Sequence, residues 1–129
     1  RLATCAVVRN TDGELLVVQR PAAGLLASLW KLPGGFPDSA EKLETALARL
    51  VREELDVVIR VGKKLASVDH AYTHFRETLS AFDCRLRKGT PRTQACQDWR
   101  WANADDLKKL PMSKIDRMIL DAISSSPVR

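Results

Sequence analysis

From Leu2 to Arg9 the apolar positions run almost unbroken, and the stretch reads as a strand. Asn10-Thr11-Asp12-Gly13 follows as a hairpin turn, and Glu14 to Gln19 returns as a second strand. The Leu15-Leu16-Val17-Val18 run has no polar member, which predicts a strand covered on both faces. Arg20 to Pro37 holds three prolines and three glycines and breaks any period, so it reads as an ordered loop. Beyond it, Leu43, Leu47, Leu50 and Val51 recur at helical spacing, with Asp38 as the expected cap and Glu41 as its capping-box partner. Val57, Ile59 and Val61 alternate as a strand. Thr78, Ser80, Phe82, Cys84 and Leu86 share one face of another, which Lys88-Gly89-Thr90-Pro91 ends. Trp99 to Ala102 reads as a short strand and Asn103 to Leu107 as a helical turn. Ser113 is the expected cap of a last helix carrying Ile115, Met118, Ile119, Ala122 and Ile123 on one face. Ser124 to Arg129 is polar and expected to fray. The reading is a single α/β (α+β) domain over residues 1–129, a mixed sheet between the long helix and the last one.

The long helix carries a chemical pattern. Gly35, Glu41, Arg49, Val51, Glu53, Glu54 and Val57 stand in register with the Nudix box, which reads Gly, five residues, Glu, seven residues, then Arg-Glu-apolar-x-Glu-Glu-x-Gly-apolar. Carboxylates at i, i+3 and i+4 fall on one helix face, and magnesium takes such hard oxygens in near-octahedral geometry. Here the trio is Leu50, Glu53 and Glu54, and its central member cannot ligate. Asp56 stands where the glycine belongs. Any magnesium held by Glu53 and Glu54 is expected to be weak, with Glu77 or Asp98 as candidate helpers. Read blandly, Glu53 and Glu54 are solvated helix acids pairing with Arg49 or Arg52, and Leu50 widens the apolar stripe.

The loop before the box is more specific. Gln19-Arg20-Pro21-Ala22-Ala23-Gly24-Leu25-Leu26-Ala27-Ser28-Leu29-Trp30-Lys31-Leu32-Pro33 closely resembles the Arg-Pro-x-x-Gly-Leu-Leu-x-x-Leu-Trp-x-x-Pro segment in the C-terminal domain of adenine DNA glycosylases of the MutY type. Ala3-Thr4-Cys5, His70-Ala71-Tyr72-Thr73-His74, and Trp101 with Leu107, Leu110-Pro111 and Lys114 resemble further segments of that domain, in order. The resemblance implies a Nudix-like fold that detects 8-oxoguanine opposite adenine in duplex DNA, excised from the C-terminus of a longer glycosylase. The N-terminal glycosylase domain would be its partner. Catalysis and an iron–sulfur cluster would lie in that other domain, so no catalytic residue, metal or cofactor is expected in this one. Carried onto this chain, Tyr72, Thr73 and His74 would read the lesion. 8-Oxoguanine bears a hydrogen at N7 where guanine has an acceptor, and the Thr73 hydroxyl suits it. Tyr and Thr replace the family's usual Phe and Ser. Taken alone, Tyr72 to His74 is an ordinary strand-edge turn. Arg20 and Lys31 are the candidate phosphate contacts. In the same loop, Leu25, Leu26, Leu29 and Trp30 are expected to fill a core or an interdomain seam, and Trp99 and Trp101 to anchor packing.

Composition adjusts this picture slightly. Lys and Arg number 21 against 16 acids, a net charge of +5 that suits a polyanion without requiring one. Cys5, Cys84 and Cys96 lie far apart with no Cys-x-x-Cys, which argues against zinc or disulfide frameworks and for a reducing cytoplasm, nucleoid-associated if bacterial. No apolar run reaches the ~20 residues of a membrane span. The start at Arg1, without a methionine, suggests a piece of a longer protein or a chain with its first residues trimmed. The alternative is a magnesium-dependent Nudix pyrophosphohydrolase acting on a nucleoside triphosphate or oxidised nucleotide through Glu53 and Glu54. A third class is an interaction domain that packs on a repair partner.

Overall fold

A computed structural model describes residues 1–124; the frayed tail expected beyond Ser124 lies outside them. The elements are β1 (Leu2–Val8), β2 (Leu15–Gln19), β3 (Trp30–Lys31), β4 (Gly34–Gly35), α1 (Leu43–Leu55), β5 (Val58–Ala71), β6 (Arg76–Lys88), β7 (Asp98–Ala102), α2 (Ala104–Lys109) and α3 (Lys114–Ser124). One sheet has the order β4-β1-β6-β5 and the other β3-β2-β7. β1 runs parallel to β6, placing Leu2 opposite Thr78 and Val8 opposite Cys84. The remaining pairings are antiparallel.

The unbroken apolar runs of β1 and β2 follow from burial on both faces. Ala3, Cys5, Val7, Leu15 and Val17 pack with Ile115, Ile119, Leu120 and Ile123 of α3. Ala6, Val8, Leu16 and Val18 pack instead with Leu47, Val51 and Leu55 of α1. Alternate residues of the same strands thus serve two cores, and each fully buried Leu or Val contributes about 1.5–3 kcal/mol relative to exposure. Trp99 and Trp101 lie partly buried against the α1 core, as packing anchors. Cys5 and Cys84 are buried free thiols. Burial pushes the Cys84 thiol up to about 11.

Several local expectations change. Asp38 does not cap α1, which begins at Leu43 with Lys42 in the cap position and no side-chain cap bond. The Asp38 N–H does donate to Glu41 Oε1 at 2.9 Å, but this closes a turn ahead of the helix. The Glu41 carboxylate also accepts from the Arg49 guanidinium, at 2.8 and 2.6 Å. That fork keeps the Glu41 carboxyl down near 2. β5 is much longer than its alternating segment, because register shifts around Val61, Lys64 and Ala66 scramble the period of two. Gly62 lies in that region, and a Cβ there would meet the Asp83 carbonyl at 2.8 Å. Ser113 does meet the α3 N-terminus, accepting from the Asp116 N–H at 3.4 Å. Asp56 ends α1 in the left-handed conformation, φ 56°, which explains why the box keeps a glycine there and why Asp is a tolerable substitute.

Candidate functional site

A cavity of about 470 Å³ opens between β1, the Arg20–Phe36 loop, the β5–β6 hairpin tip and the start of α3. Small-molecule sites span about 300–1,000 Å³, so this one has room for a nucleobase and its sugar. Ala3, Cys5, Leu32, Leu79 and Ile115 give it apolar walls, with Tyr72, Phe75 and Phe36 among its aromatic lining. Arg1 places its guanidinium over the Phe36 and Phe75 rings, 4.4 and 4.2 Å from their centroids.

Arg20 and Lys31 both reach this cavity, and each is matched by a carboxylate. Arg20 Nη2 donates to Asp116 Oδ2 at 3.0 Å. The Ser113 hydroxyl donates to the same oxygen at 2.7 Å, so α3 presents a fixed carboxylate to the wall. Lys31 Nζ donates to Glu54 Oε2 at 2.8 Å and to the Gly34 carbonyl at 2.9 Å. Two buried polar atoms on lining residues, Thr4 Oγ1 and Arg20 Nε, have no hydrogen-bond partner among the described residues.

Tyr72, Thr73 and His74 form the tip of the β5–β6 hairpin, closed by the Tyr72 N–H donating to the Phe75 carbonyl at 2.7 Å. The Tyr72 ring stacks on Phe75 at 4.7 Å and meets the His70 ring edge-on at 4.6 Å. Tyr72 lines the cavity, whereas Thr73 and His74 are exposed beyond its lining. The segment is thus the strand-edge turn at the hairpin tip. Sequence reasoning missed Phe36, Phe75, Thr4 and Asp116; only Phe75, beside Tyr72-Thr73-His74, carried a usable hint. In the loop, Trp30 is core, while Leu25 is 78% exposed at the rim rather than packed.

The NUDIX domain family model matches residues 4–122. The chain belongs to the Nudix family. Among its relatives is the CTP pyrophosphohydrolase of Escherichia coli K12, 30% identical over 91% of this chain and 87% of that protein. Human adenine DNA glycosylase is 28% identical over 86% of this chain but only 21% of its own length. A MutT NUDIX hydrolase structure from Burkholderia pseudomallei superposes with a TM-score of 0.81 at 27% identity, covering 95% and 97% of the two chains. The hydrolase relatives match over nearly their whole lengths, and they favour the hydrolase alternative over the glycosylase one.

A Nudix box implies magnesium, and the residues present do not fit it. Leu50 sits beneath Gly35, where a Cβ would touch both its methyls at 3.7 Å; it is half-buried rather than part of the α1 core. Glu53 points outward and pairs with Arg49 at 3.0 Å. Both Glu54 oxygens are occupied, one by Lys31 and the other by the Gly34 N–H at 2.9 Å. Glu77 is buried on the cavity wall, and Asp98 accepts from its neighbour's N–H. Among the described residues no three His, Cys, Asp or Glu converge as a metal site. No helix among them is long and apolar enough to cross a membrane.

Proposed function

We propose that this domain recognises an oxidised purine without hydrolysing a nucleotide, and that it serves as the 8-oxoguanine-reading part of an adenine DNA glycosylase acting on duplex DNA. The observation that carries this reading is the box itself. Leucine replaces the central ligand, and the remaining carboxylates are bonded to Arg49, Lys31 and a backbone N–H. A cavity with apolar walls, unsatisfied Thr4 and Arg20 atoms and a fixed Asp116 survives beside it. Binding has been kept where metal chemistry has not.

Duplex binding fits the exposed hairpin. Tyr72 offers a ring for a base step, Thr73 an exposed hydroxyl for the N7–H of 8-oxoguanine, and His74 a phosphate or loop contact. Further along the same ribbon Arg60 stands directly opposite Arg85, with Arg87 beyond, all exposed. Like charges across a ladder are destabilising, so such a pair suits an external polyanion.

Fluorescence anisotropy with duplexes containing 8-oxoguanine or guanine opposite adenine tests the reading. The lesion duplex should bind tighter, both should weaken with salt, and Thr73→Ala should remove about 1–3 kcal/mol of the discrimination. Equal binding of both duplexes, unchanged in Thr73→Ala, would sink it. The second reading, a magnesium-dependent pyrophosphohydrolase, is favoured by the similarity to the CTP pyrophosphohydrolase. Phosphate or pyrophosphate release from a nucleotide panel, lost in Glu53→Gln, would establish it instead.

A further inference from the structure

Lys31 is 8% exposed, an unusual place for an ammonium. Its Nζ lies 2.8 Å from Glu54 Oε2, 2.9 Å from the Gly34 carbonyl and 3.5 Å from the Leu32 carbonyl. Three hard oxygens from helix α1 and the turn between β3 and β4 thus converge on one cation. A carboxylate and backbone carbonyls are the donor class that a hard divalent ion takes.

We infer that the Lys31 ammonium is the resident cation of the Nudix box, filling the position between α1 and the Gly34 turn and excluding a divalent ion from it. The two residues are complementary in charge. Leu50 removes a negative charge from the helix face, and Lys31 supplies a positive one to the carboxylate that remains. A divalent ion entering here would have to expel an ammonium from a nearly buried pair, and it would find one ligand oxygen already taken by the Gly34 N–H. The cation is covalently part of the chain, so whatever the neighbouring cavity binds is held without magnesium. The inference concerns the cation alone and holds for a base in duplex DNA and for a free nucleotide.

The test is titration with Mn²⁺, followed by electron paramagnetic resonance, of the wild type, Leu50→Glu, Lys31→Met and the double variant. The wild type and Leu50→Glu should bind Mn²⁺ no better than a generic surface carboxylate. The double variant should bind at least tenfold tighter, and Glu54→Gln should abolish that gain. If Leu50→Glu alone gains as much as the double variant, Lys31 does not guard the site and the inference fails. Lys31→Met leaves Glu54 unpaired and can unfold the chain, so the wild type carries a test of its own. Its melting temperature should be the same in EDTA and in millimolar Mn²⁺. A metal-dependent rise that disappears in Glu54→Gln overturns the inference. Neither measurement depends on DNA or nucleotide binding.

Discussion

The box-helix end of the cavity and the hairpin tip have diverged in opposite directions. At the box the three motif glutamates are answered from within the chain: Glu54 by Lys31, Glu53 by Arg49, Glu41 by the same arginine. At the tip, Thr73 and His74 are exposed, and Tyr72 keeps a ring at the surface stacked on the likewise exposed Phe75. A closed network stabilises a fold but has nothing left for a ligand, whereas an exposed ring and hydroxyl stabilise little and remain available. The carboxylates of the box helix are paired within the chain, whereas the ring and hydroxyl of the hairpin tip stand exposed.

The largest effect should come from the turn that joins these regions. Gly34 has φ 143°, and a Cβ there would lie 2.1 Å from the Thr4 carbonyl. Gly34→Ala should cost more than about 4 kcal/mol or prevent folding, by chemical denaturation. A wild-type midpoint would mean that β1 and β4 are not this close.

Next, the two box glutamates should separate. Glu54→Gln leaves the nearly buried Lys31 ammonium without its counter-charge and should cost about 3 kcal/mol. Glu53→Gln, on an exposed pair, should cost under about 1 kcal/mol. Equal losses would erase the distinction between the nearly buried and the exposed pair of the box.

At the tip the order of effects should reverse. Tyr72→Ala should lower stability by about 1 kcal/mol, the scale of one aromatic pair. Duplex binding should fall about tenfold or more, the scale of one stacked base. If stability falls and binding does not, the ring is packing only.

The smallest effect is an acid one. Arg49 holds the Glu41 carboxyl near 2, below its ordinary 4.5. A depressed carboxyl contributes stability that is complete above about 4.5 and lost as pH falls towards 2. Denaturation at pH 5 and pH 3 should show a smaller drop in Arg49→Met than in the wild type; identical drops would remove Glu41 from the account.

Much of the fold was legible because its signals are local. The two-sided apolar runs of β1 and β2, the helical stripe of α1 and the Ser113 cap each arise within a few residues. The full length of β5 was not legible, since bulges near Val61 and Lys64 erase the alternation that marks a strand. The Asp38 cap failed because Asp38 and Glu41 close a turn of their own and the helix starts only at Leu43.

By itself the sequence determined the family pattern, the loss of the central carboxylate at Leu50 and the chemistry available at Tyr72-Thr73-His74. Which charges remained available was decided only in three dimensions. Lys31 meets Glu54 across 23 residues and Arg20 meets Asp116 across 96. No periodicity encodes such pairings, because they depend on how two sheets and two helices stack. The box helix and the Gly34 turn must be brought together before the Lys31 ammonium can stand between Glu54 and the Gly34 carbonyl.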